Sequence, residues 1–188
     1  MILSKSDEKS VKECISYLKQ GKILIIPTDT VYGFSGIAEP GKALDTDAKI
    51  KAIKGRSETK PFIQLIARPE DLKKYTDDKI PSNLLFYWPG PLTIIVNNKL
   101  TGSTTAFRCP GDAWLRSILE ELDSPIYSTS VNRSGFPVLD SQKEIISDFE
   151  KDVDLIVTDG DKKNALPSTI VSICQGELKV LRQGAVSL

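Results

Sequence analysis

The sequence predicts an α/β domain built on a twisted sheet of mixed parallel and antiparallel strands, with helices flanking the sheet. Short apolar runs of strand length, such as residues 23–26, alternate with segments whose apolar residues recur at helical spacing. The last two apolar runs, 170–174 and 178–181, are separated by a short segment containing Gly176, which is typical of a hairpin. We therefore expect a mixed sheet within a single domain that covers residues 1–188.

The N-terminal part of the chain predicts two helices separated by a strand and a loop. Ser6 is a good N-cap for a helix whose apolar residues recur at helical spacing within residues 11–18. The apolar run 23–26 ends at a proline and predicts a fully buried strand. Residues 27–41 then predict a loop, and residues 43–54 predict a second helix that stops at a glycine.

The rest of the chain continues this alternation of strands and helices. Residues 114–122 have the wide apolar face of a packed helix, and Ser141 with Glu144 makes the pattern of a capping box. The remaining elements are strands at 62–67, 92–96, 105–108, 126–130 and 155–158, a short helix that begins at 69–71, and helices at 82–87 and 141–149.

The composition limits the classes of function. The chain has 188 residues, of which 40% are hydrophobic, so it can bury a core, and no stretch is apolar enough to span a bilayer. The formal net charge is zero, which argues against a protein that mainly coats nucleic acid. The sequence contains no histidine, which excludes a Ser-His-Asp triad, a histidine general base and a histidine-ligated zinc. Three widely spaced cysteines without a CxxC pair favour a cytoplasmic location.

Candidate ligand-binding residues follow a predicted strand and a predicted helix in the first third of the chain. The sequence has neither a P-loop nor a GxGxxG turn, so a nucleotide would have to be held in another way. Thr30 lies in a hydroxyl-rich segment directly after the strand 23–26, where a ligand site and a simple polar turn are equally compatible with the pattern. Lys54, Arg56 and Lys60 form a basic cluster that suits phosphate groups, but cations at a helix end also offset the helix dipole.

A second group of polar residues lies in the C-terminal half. Ser128, Ser130 and Asn132 share one face if the chain stays extended, and hydroxyls that begin inside an apolar strand favour a binding role over a plain turn. Arg108 ends a strand and suits a substrate carboxylate, although a solvated charge is the commoner case. Two further polar residues at strand ends are Ser168 and Arg182. Cations and hydroxyls at several strand ends suit an anionic ligand with phosphates and a carboxylate.

Seven segments, in their order along the chain, resemble the YrdC/TsaC family of threonylcarbamoyl-AMP synthases, and most of all its short bacterial form. Each segment is short, but together they span nearly the whole chain. They are Pro27-Thr28-Asp29-Thr30-Val31-Tyr32-Gly33, Lys54-Gly55-Arg56, Trp88-Pro89-Gly90-Pro91-Leu92-Thr93, Arg108 before Pro110, Ser128-Thr129-Ser130-Val131-Asn132-Arg133-Ser134-Gly135, Pro167-Ser168-Thr169 and Arg182-Gln183-Gly184.

The resemblance implies a sheet flanked by helices with a concave basic cavity, and it implies a reaction. A nucleotidyltransferase of this kind forms threonylcarbamoyl-AMP and pyrophosphate from ATP, L-threonine and bicarbonate, for the threonylcarbamoyl-adenosine modification of tRNA. The implied partner is a downstream tRNA threonylcarbamoyl-transferase complex, and direct binding of tRNA or double-stranded RNA is left open. Mg²⁺ would be bound mainly through the ATP phosphates, with no metal site in the protein and no membrane partner.

The resemblance also implies roles for individual residues, with Lys54 and Arg56 as the catalytic pair and Arg108 facing the threonine carboxylate. The residues implied for ATP are Lys54, Arg56, Lys60, Thr104, Ser130, Asn132 and Arg182. The residues implied for threonine are Thr30, Arg108, Ser128 and Ser168.

Two alternatives to this enzyme remain. The first is a paralogue with the same fold but no threonylcarbamoyl activity, against which the presence of Asn132 argues because such paralogues usually lack it. The second is a non-catalytic module that binds double-stranded RNA, against which the zero net charge argues.

Overall fold

The computed structural model describes residues 1–38, 43–57 and 61–188, and its ten strands there form one open sheet. The strands are β1 Ile2–Ser4, β2 Leu24–Ile26, β3 Gly33–Ile37, β4 Ile63–Leu65, β5 Leu92–Asn98, β6 Ser103–Arg108, β7 Ile126–Ser130, β8 Leu155–Thr158, β9 Thr169–Ser172 and β10 Lys179–Arg182. The helices are α1 Ser10–Lys19, α2 Thr46–Lys54, α3 Ser82–Leu85, α4 Ala113–Leu122 and α5 Gln142–Phe149, with short 3₁₀ helices at Pro69–Lys74 and Cys174–Gly176. The described part of the chain contains no helix that is long and apolar enough to cross a membrane.

The strand order in the sheet is β1-β8-β2-β3-β7-β4-β6-β5-β9-β10. The pairs β1–β8, β2–β8, β4–β6 and β5–β9 are parallel, and the other neighbours are antiparallel. The predicted α/β class with a mixed sheet is therefore confirmed. The antiparallel hairpin predicted at the end of the chain is also confirmed, as β9 and β10.

The structure corrects the prediction of a loop over residues 27–41. The described part of this segment contains β3, which is fully buried and pairs with β2 on one side and β7 on the other. Its glycines interrupt the apolar run that would have indicated a buried strand in the sequence. They are needed because neighbouring residues pack closely against the backbone here. A Cβ atom on Gly33 would lie 2.9 Å from Ser128 Oγ, and one on Gly36 would lie 2.9 Å from Thr46 Cβ.

Two predictions at the N-terminus are also corrected. Strand β1, which pairs in parallel with β8, was not predicted. Helix α1 begins at Ser10 with Lys9 as its N-cap, so Ser6 does not cap it. The hydroxyl of Ser6 instead hydrogen-bonds that of Ser4 at 2.8 Å. Ser141 is the N-cap residue of α5 as expected, but its side chain makes no capping hydrogen bond, so the predicted capping box does not form.

Helices cover the sheet unevenly. On one face, α1 and α4 pack on the half of the sheet that contains β8, β2 and β3. On the opposite face, α2 and α5 cover the same half, and the segment from the 3₁₀ helix Pro69–Lys74 to Trp88 packs on β5, β6 and β9. The remaining area, over β4, β6, β5, β9 and β10 on the α1/α4 face, is the floor of a cavity. The strand register supports this placement. Leu65 of β4 packs in the core with α1 and α4, and its partner on β6 is Arg108, which lines the cavity, so both side chains lie on the same face of the sheet.

Candidate active site

The cavity has a volume of about 660 Å³ and lies beside the ends of several strands. Its apolar floor includes Ile63, Ile95 and Ile170. Among the described residues that line it, only arginines carry a charge, at positions 56, 108 and 182. The residues predicted from sequence that line it are Thr30, Arg56, Thr104, Arg108, Ser128, Ser130, Ser168 and Arg182. Residues from distant parts of the chain thus meet at one surface.

At one end of the cavity, the buried guanidinium group of Arg108 is held on three sides. Its Nε donates to the carbonyl oxygen of Gly90 at 3.1 Å, and its Nη1 donates to Thr30 Oγ1 at 2.9 Å. Its Nη2 forms an ion pair with Asp29. Arg108 is only 5% exposed, so it is not the solvated strand-end charge that its sequence context also allowed. Because a guanidinium has five N–H groups, two remain for a ligand.

The segment after β2 builds the other partners of Arg108. Thr28 Oγ1 donates to the carbonyl oxygen of Val31 and accepts a hydrogen bond from the Thr30 backbone N–H, both within 3.0 Å, which folds the segment into a tight turn. The hydroxyls of Thr28 and Thr30 also lie 3.0 Å apart. Asp29 Oδ2 accepts from the Gly111 backbone N–H at 2.8 Å, so this carboxylate links the turn to the end of β6 and α4.

Lys54 lies beneath the other side of the cavity and does not line it. Its ammonium group donates to Ser130 O at 2.5 Å, Asn132 O at 3.0 Å and Asn132 Oδ1 at 2.9 Å. Asn132 Oδ1 also accepts from the Ser130 hydroxyl at 2.8 Å. Burial, followed by the positive charge of Arg56, lowers the pKa of Lys54 to about 8. In this structure, Lys54 and Asn132 therefore shape the segment that presents Ser130, and direct contact of either with a phosphate stays a prediction.

Arg182, at the far end of the cavity, has neutral partners. Its Nε and Nη2 donate to the carbonyl oxygen of Ser168 at 3.1 and 2.8 Å, and Nη2 lies 3.2 Å from Ser168 Oγ. The Ser168 hydroxyl in turn lies 2.8 Å from that of the fully buried Thr93. Burial, and then the positive charge of Arg108, lowers the pKa of Arg182.

The remaining predicted residues are Arg56, Thr104 and Lys60. Arg56 lines the cavity with its guanidinium carbon 5.2 Å from the centre of the Phe62 ring, a distance typical of a cation–π contact. Thr104 lies on β6 and lines the same wall. Lys60 lies outside the described residues. The basic cluster at the end of α2 therefore contributes one described side chain, that of Arg56, directly to the cavity.

Asp29 and Phe62 were not singled out by sequence reasoning. Asp29 stands between two threonines in the first polar segment, which looks like a turn, and its partner Arg108 is 79 residues away. Only a pairing of the two segments in space would have indicated the ion pair. Phe62 lay within a predicted strand, where an aromatic residue is more often part of the core.

A family model described as "Telomere recombination", the Sua5/YciO/YrdC domain, matches residues 16–184. The chain belongs to this family. The resemblance to the YrdC/TsaC family predicted from seven short segments is therefore confirmed, over nearly the whole length of the chain.

Two relatives and one solved structure illustrate the similarity. A threonylcarbamoyl-AMP synthase of Pyrococcus abyssi is 29% identical over 97% of this chain and 56% of its own length, so the chain spans just over half of that relative. A putative threonylcarbamoyl-AMP synthase of Methanocaldococcus jannaschii is 30% identical over 97% of this chain and 91% of its own length. The crystal structure of P. abyssi Sua5 complexed with L-threonine superposes with a TM-score of 0.86 and 26% identity, over 99% of this chain and 58% of that one.

Proposed function

We propose that this protein is an L-threonylcarbamoyladenylate synthase, a nucleotidyltransferase that converts ATP, L-threonine and bicarbonate to threonylcarbamoyl-AMP and pyrophosphate. The observation that carries the proposal is the cavity itself. It collects three arginines and five hydroxyl residues that the resemblance assigns to these substrates. Its volume of about 660 Å³ is within the usual range for sites of nucleotides and other small ligands. The names of the similar proteins and the L-threonine bound to P. abyssi Sua5 support the same activity.

The charges of the cavity suit two anionic groups. The two remaining N–H groups of Arg108 can receive the threonine carboxylate, with the Thr30 and Ser128 hydroxyls beside it. Arg182, Arg56 and Ser130 can receive the triphosphate on the other side of the apolar floor. The amine of threonine, placed between the two anionic groups, would be the atom that takes up bicarbonate-derived CO₂.

The proposed chemistry requires positioning and charge stabilisation rather than a histidine. The threonine amine combines with bicarbonate to give a carbamate and water. An oxygen of the carbamate then forms a bond to the α-phosphorus of ATP, and the bond from that phosphorus to the pyrophosphate oxygen breaks. Because the nucleophile is already an anion, no general base is needed at this step, and the arginines stabilise the charge that grows on pyrophosphate.

We expect Mg²⁺ to accompany ATP and to be held mainly by its phosphates, where it neutralises part of their charge. The donor atoms of the cavity fit this arrangement. The described residues contain no group of three or more acidic or sulfur side chains that could hold a metal, but Ser130 and Thr104 offer hydroxyls that could bind its water shell. The protein would therefore position the phosphates, and the metal would follow them.

The partners and the cellular role are further parts of this proposal. The product would pass to a tRNA threonylcarbamoyl-transferase complex for modification of adenosine in tRNA, and the protein would act in the cytoplasm. Direct binding of tRNA or double-stranded RNA and a paralogue without activity remain the alternative functions. The presence of Asn132, held by both Lys54 and Ser130, favours the enzyme over such a paralogue.

The direct test is incubation of the protein with ATP, L-threonine and labelled bicarbonate, followed by detection of labelled threonylcarbamoyl-AMP. Pyrophosphate release should require all three substrates. A salt titration of binding to double-stranded RNA, measured in parallel, tests the alternative. Tight RNA binding without any labelled product would overturn the proposed function.

The variant Arg56→Ala tests the site assignment. It should lower kcat and raise the KM for ATP, because each charge-assisted hydrogen bond to phosphate contributes roughly 1.5–3 kcal/mol. Arg56→Lys should restore only part of the lost activity, because lysine keeps the positive charge but lacks the two parallel N–H donors of a guanidinium group. The matched control is Arg68→Ala, which removes an exposed arginine outside the cavity. A folded Arg56→Ala protein with the activity of the control would show that Arg56 does not bind ATP and only offsets the dipole at the end of α2.

A further inference from the structure

The two ends of the cavity differ in burial and in net charge, since Arg108 is buried and Arg182 is exposed. Arg108 forms an ion pair with Asp29, so this end carries a cation and its counter-ion. Arg182 donates only to the carbonyl and hydroxyl oxygens of Ser168, and no carboxylate among the described residues pairs with it. One end is therefore close to neutral and the other carries about one positive charge.

The difference matters because an arginine alone does not distinguish a carboxylate from a phosphate. Both anions accept two parallel N–H···O bonds from a guanidinium group. ATP carries several negative charges and would be drawn to both arginines, whereas an amino acid is a zwitterion with a net charge near zero. An adjacent carboxylate repels the phosphates but attracts the ammonium group of the amino acid.

Asp29 is held in place by two hydrogen bonds. Each of its two oxygens accepts one hydrogen bond, from Arg108 Nη2 and from the Gly111 backbone N–H. A Cβ atom on residue 111 would lie 3.0 Å from Asp29 Oδ2, so the glycine allows this close approach. The side chain of Asp29 is 17% exposed and that of Arg108 is 6% exposed, so solvent screens the pair weakly. Asp29 does not itself line the cavity, so it acts on a ligand through the charge of Arg108, its ion-pair partner, and through its own field.

We propose that Asp29 sorts the substrates by charge: it neutralises Arg108 and so reserves that end of the cavity for the zwitterionic amino acid, leaving the triphosphate to the end at Arg182. Asp29 is thus a specificity-determining residue that acts on both substrates. The inference rests on the proposed function for the identity of the substrates. The charge difference between the two ends, however, can be measured with simple anions in the absence of any reaction.

The variant Asp29→Asn removes the charge with little change in size. We expect it to bind inorganic sulfate about tenfold more tightly than the wild type does, because Arg108 then has no counter-ion. L-threonine should displace this additional sulfate. In the activity assay, the KM for threonine should rise, and ATP at high concentration should become an inhibitor that threonine relieves.

Three further variants distinguish the proposed effect of the Asp29 charge from a purely structural role, in which Asp29 only holds its loop in place. Asp29→Glu keeps the charge and should return the sulfate affinity toward that of the wild type. The double variant Asp29→Asn/Arg108→Gln should lose the gain in sulfate affinity. Asp148→Asn removes an exposed carboxylate on α5, away from the cavity lining, and should leave sulfate binding unchanged.

Isothermal titration calorimetry with sulfate and thermal melting of each variant decide the question. If Asp29 only anchors its loop, Asp29→Asn should melt at a lower temperature and bind sulfate with equal or lower affinity, and this result would overturn the proposal. If the wild type makes no threonylcarbamoyl-AMP but Asp29→Asn gains sulfate affinity, the proposed reaction is wrong while the charge sorting stands.

Discussion

Lys54 and Arg108 are both buried cations beside the same cavity, but the protein stabilises their charges in different ways. Arg108 faces the carboxylate of Asp29. Lys54 faces neutral oxygens of Ser130 and Asn132 and lies 5.3 Å from the centre of the Phe34 ring, and none of the described carboxylates accepts a bond from it. The first arrangement pairs a cation with an opposite charge, whereas the second offers only dipoles and an aromatic face. The site therefore contains a guanidinium, a group that keeps its charge at ordinary pH, and an ammonium whose pKa is lowered to about 8.

The largest expected effect comes from breaking the Arg108 pair. Arg108→Gln leaves the carboxylate of Asp29 without its counter-ion in a mostly buried place, and should lower the free energy of unfolding by about 3 kcal/mol. The KM for threonine should rise at least about tenfold, since two donors to its carboxylate are lost. Urea denaturation and pyrophosphate release measure the two effects. In the double variant with Asp29→Asn, much of the stability should return, and failure to recover it would mean that the ion pair is not what Arg108 contributes.

Replacing Lys54 should have a smaller effect on stability. Lys54→Met has a side chain of similar length but removes one donor from each of three oxygens, of which Asn132 Oδ1 keeps its bond from Ser130, and should lower the free energy of unfolding by about 1–3 kcal/mol. The activity should fall sharply, because Ser130 and Asn132 lose the group that holds them. Lys54→Arg is the matched variant that keeps the charge. A Lys54→Met protein more stable than the wild type would show that removing the ammonium group from water destabilises the fold by more than its hydrogen bonds stabilise it.

A change of pH should separate the two cations without mutation. The pKa of Lys54 is lowered to about 8 in the folded protein from an ordinary value of 10.5. Between these values the unfolded chain binds more protons, so Lys54 makes the stability rise as pH increases from about 8 to about 10.5. Over the same interval the folded protein loses the positive charge of Lys54, so the KM for ATP should rise.

The pH profile has an internal control. A guanidinium group keeps its charge over this range, so the effect of Arg108 on the KM for threonine should not follow the titration of Lys54. Lys54→Arg should flatten the ATP profile above pH 8. Parallel changes in both KM values, in the wild type and in Lys54→Arg alike, would contradict the distinction between the two sites.

The smallest effect is expected for Ser35, a buried polar group that has neither an opposite charge nor a hydrogen-bond partner among the described residues. Its hydroxyl is fully buried and has no hydrogen-bond partner among the described residues. Ser35→Ala should raise the free energy of unfolding by up to about 1 kcal/mol, because the unpaired hydroxyl is removed. Thr93→Val is the control, since the hydroxyl of Thr93 is equally buried but paired with Ser168, and it should lower stability. Chemical denaturation of both variants tests the sign.

The sequence predicted the larger features of the fold because their patterns are local. The alternation of apolar strands and amphipathic helices, and the final hairpin, depend on neighbouring residues only. Strand β3 was missed because Gly33, Ser35 and Gly36 interrupt its apolar pattern, although its neighbours in the sheet bury it completely. In that case tertiary packing outweighs local propensity.

The site was predicted as a set of residues, but not as a set of contacts. Local context could not decide whether Arg108 was solvated or buried, since its partner Asp29 lies 79 residues away. The resemblance assigned Lys54 to the phosphates, and this role stays a prediction, because in the structure its three N–H groups point to protein oxygens. Such roles depend on distances between segments that are far apart in sequence.

Strand β10, which carries Arg182, is held in the sheet less firmly than β6, which carries Arg108. It is the last strand of the sheet, all four of its residues are exposed, and only β9 pairs with it. Arg182 therefore belongs to an element with few contacts to oppose its opening, whereas Arg108 belongs to a strand that is paired on both sides. Backbone amides of β10 should exchange with deuterium faster than those of β6, and an anion bound at Arg182 should slow that exchange. Release of a product held by Arg182 would then be governed by the fraying of one edge strand.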